Sequence, residues 1–147
     1  MKKILLQKSW IIKAPREEVY KIMSDFENMP KYFPNVAQSL HILKRDGNNL
    51  TIEVKAKTFG RIISAQMETQ LRPPIGYVSD NKSAIGTSGH EEFLMEEISE
   101  GTRINYSYNI EFKNPIFRIL GGFLIGWYAM RFWEHAVIDK LKEMLEK

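Results

Sequence analysis

The 147 residues contain no cysteine, which excludes a disulfide framework and thiol chemistry. The three histidines, His41, His90 and His135, are scattered without metal-ligand spacing, so no metal or other cofactor is expected. Gly86-Thr87-Ser88-Gly89 lacks the lysine and following helix of a phosphate loop and reads as a turn. Basic residues are interspersed with acids at a net charge of only +3. Without a basic block, nucleic acid is not an expected partner, while anionic ligands and lipid headgroups stay open. MKKILLQKSW lacks the apolar core and cleavage site of a secretory signal, and the uncharged run between Arg118 and Arg131 is about a dozen residues, short of the ~20 of a membrane span. The expected location is cytoplasmic, with contact at a membrane surface open to the apolar helix described next.

What is present is an ordinary balance, 44% hydrophobic and 27% charged, that suits one domain over residues 1–147. The stretch Asn114–Lys147 organises it. Asn114 can cap a helix, Pro115 fits the first turn, and no later proline interrupts. Such a helix would be roughly 50 Å long, against a domain diameter of roughly 40 Å, so it must cross the molecule. Residues 116–130 are apolar nearly all round, whereas Ile138, Leu141 and Leu145 recur at helical spacing among charges. Gly121, Gly122 and Gly126 in its interior call for a reason: close packing on a sheet, or a softened segment that admits a ligand and presents Phe117, Phe123 or Ile125 to a membrane.

Ahead of that helix, Leu5–Ile12 reads as a strand ended by Ala14-Pro15. A helix is expected over Pro15–Ser24, with Val19, Ile22 and Met23 on one face, and a second short helical or irregular piece over Phe26–Phe33, punctuated by Pro30 and Pro34. Strands follow at Val36–Lys44, Leu50–Lys57, Ile63–Leu71, Tyr77–Ala84, His90–Ser99 and Thr102–Lys113, separated by Asp46-Gly47-Asn48-Asn49, Gly60, Pro73-Pro74, Gly86–Gly89 and Glu100-Gly101. Short connections imply antiparallel neighbours. The terminal helix is the one element large enough to cover the buried face. The result is an α+β fold, a curved antiparallel sheet gripping one helix, and where sheet and helix part a pocket lined by apolar and aromatic side chains is expected.

Three pieces of the chain resemble a known superfamily. Ala14-Pro15-Arg16-Glu17-Glu18-Val19-Tyr20, with Ser24-Asp25-Phe26 and Met29-Pro30-Lys31-Tyr32-Phe33-Pro34-Asn35-Val36, is similar to the strand exit and helix pair of the START-like, or helix-grip (SRPBCC), proteins. Gly101-Thr102-Arg103-Ile104 and the tyrosine-bearing strand after it resemble their last hairpin. The terminal helix is the third piece. The nearest groups are the polyketide cyclases and dehydrases and the coenzyme Q-binding proteins. The resemblance implies a seven-stranded antiparallel sheet, two short helices after the first strand, and a cavity for a lipophilic molecule between sheet and helix. It does not choose between carrier and enzyme.

Candidate ligand contacts come from both sides of that cavity. Tyr106 and Tyr108 share a face of the last strand with Ile104 and Ile110, and a buried tyrosine hydroxyl needs a partner from a ligand or from the protein. Phe93, Met95 and Met67 would extend the same wall or simply form core. From the helix come Phe123, Leu124, Trp127 and Arg131. Trp127, Arg131, Glu134 and His135 are three and four apart and can neighbour one another. Either Arg131 pairs with Glu134 at the surface beside a core tryptophan, or it sits at the pocket end and holds a carboxylate, phosphate or quinone oxygen. With no nucleophile-base arrangement evident, the expected function is binding or transport of a lipophilic small molecule such as a quinone, isoprenoid or lipid. The alternatives are a cyclase or dehydratase using the same cavity and a protein-interaction module whose apolar helix start binds a partner.

Overall fold

The computed structural model describes residues 3–58, 61–84, 86–113 and 122–146. In order they form β1 (Lys3–Ile12), α1 (Arg16–Met23), a 3-10 turn (Phe26–Asn28), α2 (Met29–Tyr32), β2 (Ser39–Asp46), β3 (Asn49–Thr58), β4 (Arg61–Arg72), β5 (Gly76–Ser83), β6 (Thr87–Ile98) and β7 (Gly101–Phe112). A helical run then continues through α3 (Gly122–Trp133), a π-helical turn (Glu134–Ile138) and α4 (Asp139–Leu145). All seven strands belong to one antiparallel sheet in the order β1-β7-β6-β5-β4-β3-β2. Successive hairpins put each strand beside its predecessor, and β1 departs from this by pairing with β7, Trp10 opposite Ile104.

Period-two alternation sets the concave face. Leu50, Ile52 and Val54 of β3, Phe93 and Met95 of β6, and Ile104 and Tyr106 of β7 are buried, while their neighbours turn outward. The expectation that the terminal helix alone covers this face needs correction. Val19 and Met23 of α1, Phe26, and Phe33 after α2 are buried in the same core, so the short helices close one part of the sheet and the long helical run another.

Some boundaries differ from expectation for local reasons. Strand β2 starts at Ser39, not Val36, because the Val36 and Ala37 amides both donate to the Phe33 carbonyl and turn the chain first. It extends to Asp46 past a bulge between Ile42 and Lys44 that leaves Leu43 exposed. Gly89 is not part of a link: it lies within β6, paired with Asn81 and Ile110.

Two of the motifs behind the resemblance meet in space. The Thr102 hydroxyl donates to the Ala14 carbonyl over 2.7 Å in a buried position. Gly101 beside it has φ +139°, and a Cβ there would lie 2.4 Å from the Ile12 carbonyl oxygen. Glycine is therefore needed for the β6–β7 turn to press against the end of β1. The far end of the helical run is tied to the same corner, where the Lys13 amide donates to Glu146 Oε2 over 2.8 Å. The expected helix start at Asn114, with Phe117 and Gly121, lies outside the described residues. Among those described, no helix is long and apolar enough to cross a membrane.

Candidate ligand-binding cavity

A cavity of about 400 Å³ lies between the sheet and α3, within the ~300–1,000 Å³ of small-molecule sites. Its walls are mostly apolar: Met23, Phe26, Met29 and Phe33 from the helical layer, Val54, Ala65 and Met67 from the sheet, and Met130, Trp133 and Val137 from the terminal run. Four lining residues, Lys57, Lys82, Tyr128 and Phe132, are also exposed and so mark its opening.

One end is polar. Glu91 of β6 is 7% exposed and projects from the same strand face as Phe93 and Met95. The Tyr106 hydroxyl donates to its Oε2, and Asn81 and Tyr77 of β5 lie beside the same carboxyl. Burial pushes the Glu91 pKa above the usual carboxylate value, and Tyr106, Asn81 and Tyr77 pull against that rise. Burial, followed by the nearby Glu91 charge, drives Tyr77 and Tyr106 well above the ordinary phenol value and Tyr108 up to about 12. All three tyrosines are therefore protonated donors near neutrality.

Behind Glu91 a relay fixes Asn81. Ser79 Oγ, 2.9 Å from Thr69 Oγ1, donates to Asn81 Oδ1 over 2.6 Å, and Asn81 Nδ2 donates to the Tyr108 hydroxyl over 3.1 Å. The Tyr108 ring can lie over β6 because Gly89 has no side chain: a Cβ there would fall 2.4 Å from Tyr108 Cε1. Trp133 closes the opposite side. Its ring stacks on Tyr106 at 4.1 Å and 23°, with Trp10 at 5.3 Å and Phe93 at 6.1 Å. Trp10 in turn donates its Nε1 hydrogen to Glu134 over 2.8 Å. That bond, chiefly, and Lys8 at 3.1 Å hold the Glu134 carboxyl below the usual range. The π-helical turn, a geometry frequent at functional sites, thus begins between a cavity-lining tryptophan and an anchored carboxylate.

Of the residues singled out from sequence, Met67, Tyr106 and Tyr108 line the cavity. Phe93 and Met95 are buried but absent from its lining; Phe93 stacks on Tyr77 at 5.5 Å and 6° as core behind the wall. The side chains of Phe123 and Leu124 lie outside the described residues. Trp127 and Arg131 lie outside the cavity lining. Trp127 is 61% exposed, and the exposed Arg131 guanidinium lies over its ring at 5.7 Å. Four residues apart, they form a surface stripe on the side of the helix away from Ala129 and Trp133. Neither the arginine at the pocket end nor the Arg131–Glu134 pair is formed, since Glu134 turns to Lys8 and Trp10, and His135 pairs with Asp139 at 2.8 Å.

Glu91, Asn81, Tyr77 and Trp133 were not anticipated. The alternation that turned Phe93 and Met95 inward places Glu91, two residues earlier, on the same face, and this was the available signal. Among the described residues no group of three or more His, Asp or Glu is placed to hold a metal ion.

No match was found among curated protein sequences. Among solved structures, the chain is similar to a START superfamily protein from Mycobacterium smegmatis, with TM-score 0.81, 18% identity and 97% of each chain covered. It is also similar to the di-domain ARO/CYC BexL from the BE-7585A biosynthetic pathway, with TM-score 0.80 and 15% identity over 99% of this chain and 50% of that one. The Zhui aromatase/cyclase from Streptomyces sp. R1128 matches with TM-score 0.71 and 14% identity over 95% of this chain and 87% of that one. At these identities the likeness concerns the fold. A family model described as polyketide cyclase / dehydrase and lipid transport matches residues 12–135, and the chain therefore belongs to that family, with a START-like helix-grip fold.

Proposed function

We propose that the protein binds and carries a lipophilic small molecule, burying its apolar body between sheet and α3 and anchoring one polar group at Glu91, Tyr106, Tyr108 and Asn81. The observation that carries this reading is the cavity itself, its walls mostly apolar and one end carrying a cluster of hydrogen-bonded polar side chains. Such a division orients a ligand while the walls supply affinity. Native mass spectrometry of the purified protein, followed by organic extraction, tests it. A near-stoichiometric apolar molecule bearing oxygen is the expected result; a protein that neither retains nor takes up any such molecule counts against carriage.

A second reading, a cyclase- or dehydratase-like enzyme, is favoured by Glu91 itself, a buried carboxyl of raised pKa bonded to Tyr106 in the cavity. Such a group can exchange a proton with a bound oxygen. Under this reading the molecule extracted after incubation differs chemically from the one supplied, and Glu91→Gln abolishes the change.

The exposed Trp127, Tyr128 and Phe132, with Arg131 over Trp127 and Lys57 and Lys82 at the opening, suit the surface of an anionic bilayer, from which such a ligand would be drawn. Cosedimentation with phosphatidylserine-containing vesicles, weakened by Trp127→Ala and by salt, is expected; no association at low ionic strength would remove this part of the proposal.

A further inference from the structure

We infer that the polar end of the cavity selects ligands by charge, admitting a neutral molecule whose oxygen accepts a hydrogen bond from Tyr108 and excluding carboxylates such as fatty-acid anions. This rests on the carrier reading and adds to it the class of head group.

The argument starts from what the polar end offers. The Tyr106 hydroxyl donates to the Glu91 carboxyl, and Tyr77 and Asn81 lie beside that carboxyl and favour its charge. The Tyr108 hydroxyl already accepts from Asn81 Nδ2, and its own hydrogen meets no acceptor among the described residues. It is thus the donor that the polar end leaves for a ligand, and it lines the cavity. What the polar end lacks, among the described residues, is a cation. Its charged and titratable groups are Glu91 from β6, Tyr77 from β5, and Tyr106 and Tyr108 from β7, while the helical side contributes Met130, Trp133 and Val137. His90, beside Glu91 in sequence, is paired with Asp80 at 2.8 Å and half-exposed. The lysines in the lining, Lys57 and Lys82, are exposed at the opening.

A carboxylate head at Tyr108 would therefore be buried with no counter-cation among the described residues. With Glu91 ionised, it would also stand near a like charge in a cavity with mostly apolar walls, an arrangement that disfavours the charged form. With Glu91 protonated, it still loses its hydration to a single neutral donor. A ketone, phenol or alcohol incurs neither penalty. Such discrimination through an unpaired charge is a general route to specificity.

The test is displacement of the uncharged dye phenylnaphthylamine from the full chain by lauryl alcohol and by laurate at slightly alkaline pH. Lauryl alcohol is expected to displace the dye at a concentration at least tenfold lower. Tyr108→Phe is expected to weaken the alcohol by roughly three- to tenfold, the worth of one neutral hydrogen bond, and to leave laurate unchanged. Glu91→Gln is expected to improve laurate and narrow the difference between the two. Laurate displacing the dye as well as the alcohol does would overturn the selection while leaving the cavity reading intact. An unchanged alcohol affinity in Tyr108→Phe, which does not depend on the folding of the Glu91 variant, would also overturn it. Failure of the dye and both chains to bind overturns the cavity reading, and the selection with it.

Discussion

Replacing Trp133 by alanine is expected to lower the unfolding free energy by about 3–5 kcal/mol, the usual range for an aromatic removed from a core. The ring is stacked on Tyr106 at 4.1 Å and flanked by Trp10 and Phe93, so the variant loses three aromatic contacts together. Because Trp133 also lines the cavity, the space it vacates merges with the ligand site. Urea denaturation followed by tyrosine fluorescence and circular dichroism would measure the loss, and Trp127→Ala is the control. Trp127 is 61% exposed, and its removal should change stability by no more than about 0.5 kcal/mol. Equal losses at the two positions would contradict the orientation of α3 described above.

The second large effect lies at Glu91. Glu91→Leu strands the buried Tyr106 donor and removes the carboxyl beside Asn81 and Tyr77, and a net loss of about 2 kcal/mol is expected, with ~1–3 for a buried donor left unpaired partly offset by no longer burying a carboxyl. Glu91→Gln is milder and exposes the pH dependence. Burial raises the Glu91 pKa in the folded state above the ordinary 4.5, so between these two values the folded protein holds a proton that the unfolded chain has released. Stability contributed by this group is greatest below about 4.5 and falls as pH rises through the raised folded value. Denaturation series of both proteins across this range should show wild type losing stability relative to Glu91→Gln as pH increases. A difference that is flat, or that rises with pH, would mean the carboxyl is not held in the buried position described. Glu134 has the opposite sign: with its pKa lowered chiefly by the Trp10 hydrogen bond, its contribution is present above the ordinary carboxylate value and fades as pH falls. Comparison with Glu91→Gln cancels it, because both proteins retain it.

The order of elements was legible because it depends on short-range rules. Alternation at Leu50, Ile52 and Val54 and at Ile104, Tyr106 and Tyr108, with turns at Gly47 and Gly101, dictates strands and hairpins whatever lies across from them. The inward orientation of the tyrosines followed from the same period. The burial of Glu91 did not, although the same parity pointed to it, because an isolated glutamate reads as solvent-facing until Tyr77, Asn81 and Tyr106 are brought to it by strands β5 and β7.

Chain-local patterns thus determined the α+β class, the antiparallel sheet with its gripping helix, and the family resemblance, since each depends on residues close together in sequence. Only the tertiary structure decided which side of the terminal helix faces the cavity, leaving Arg131 and Trp127 on the surface and Trp133 in the lining. An all-round apolar helix carries no stripe by which to read its rotation. The polar end, likewise, joins side chains from β5, β6 and β7, and such a cluster exists only once the register of those strands is set.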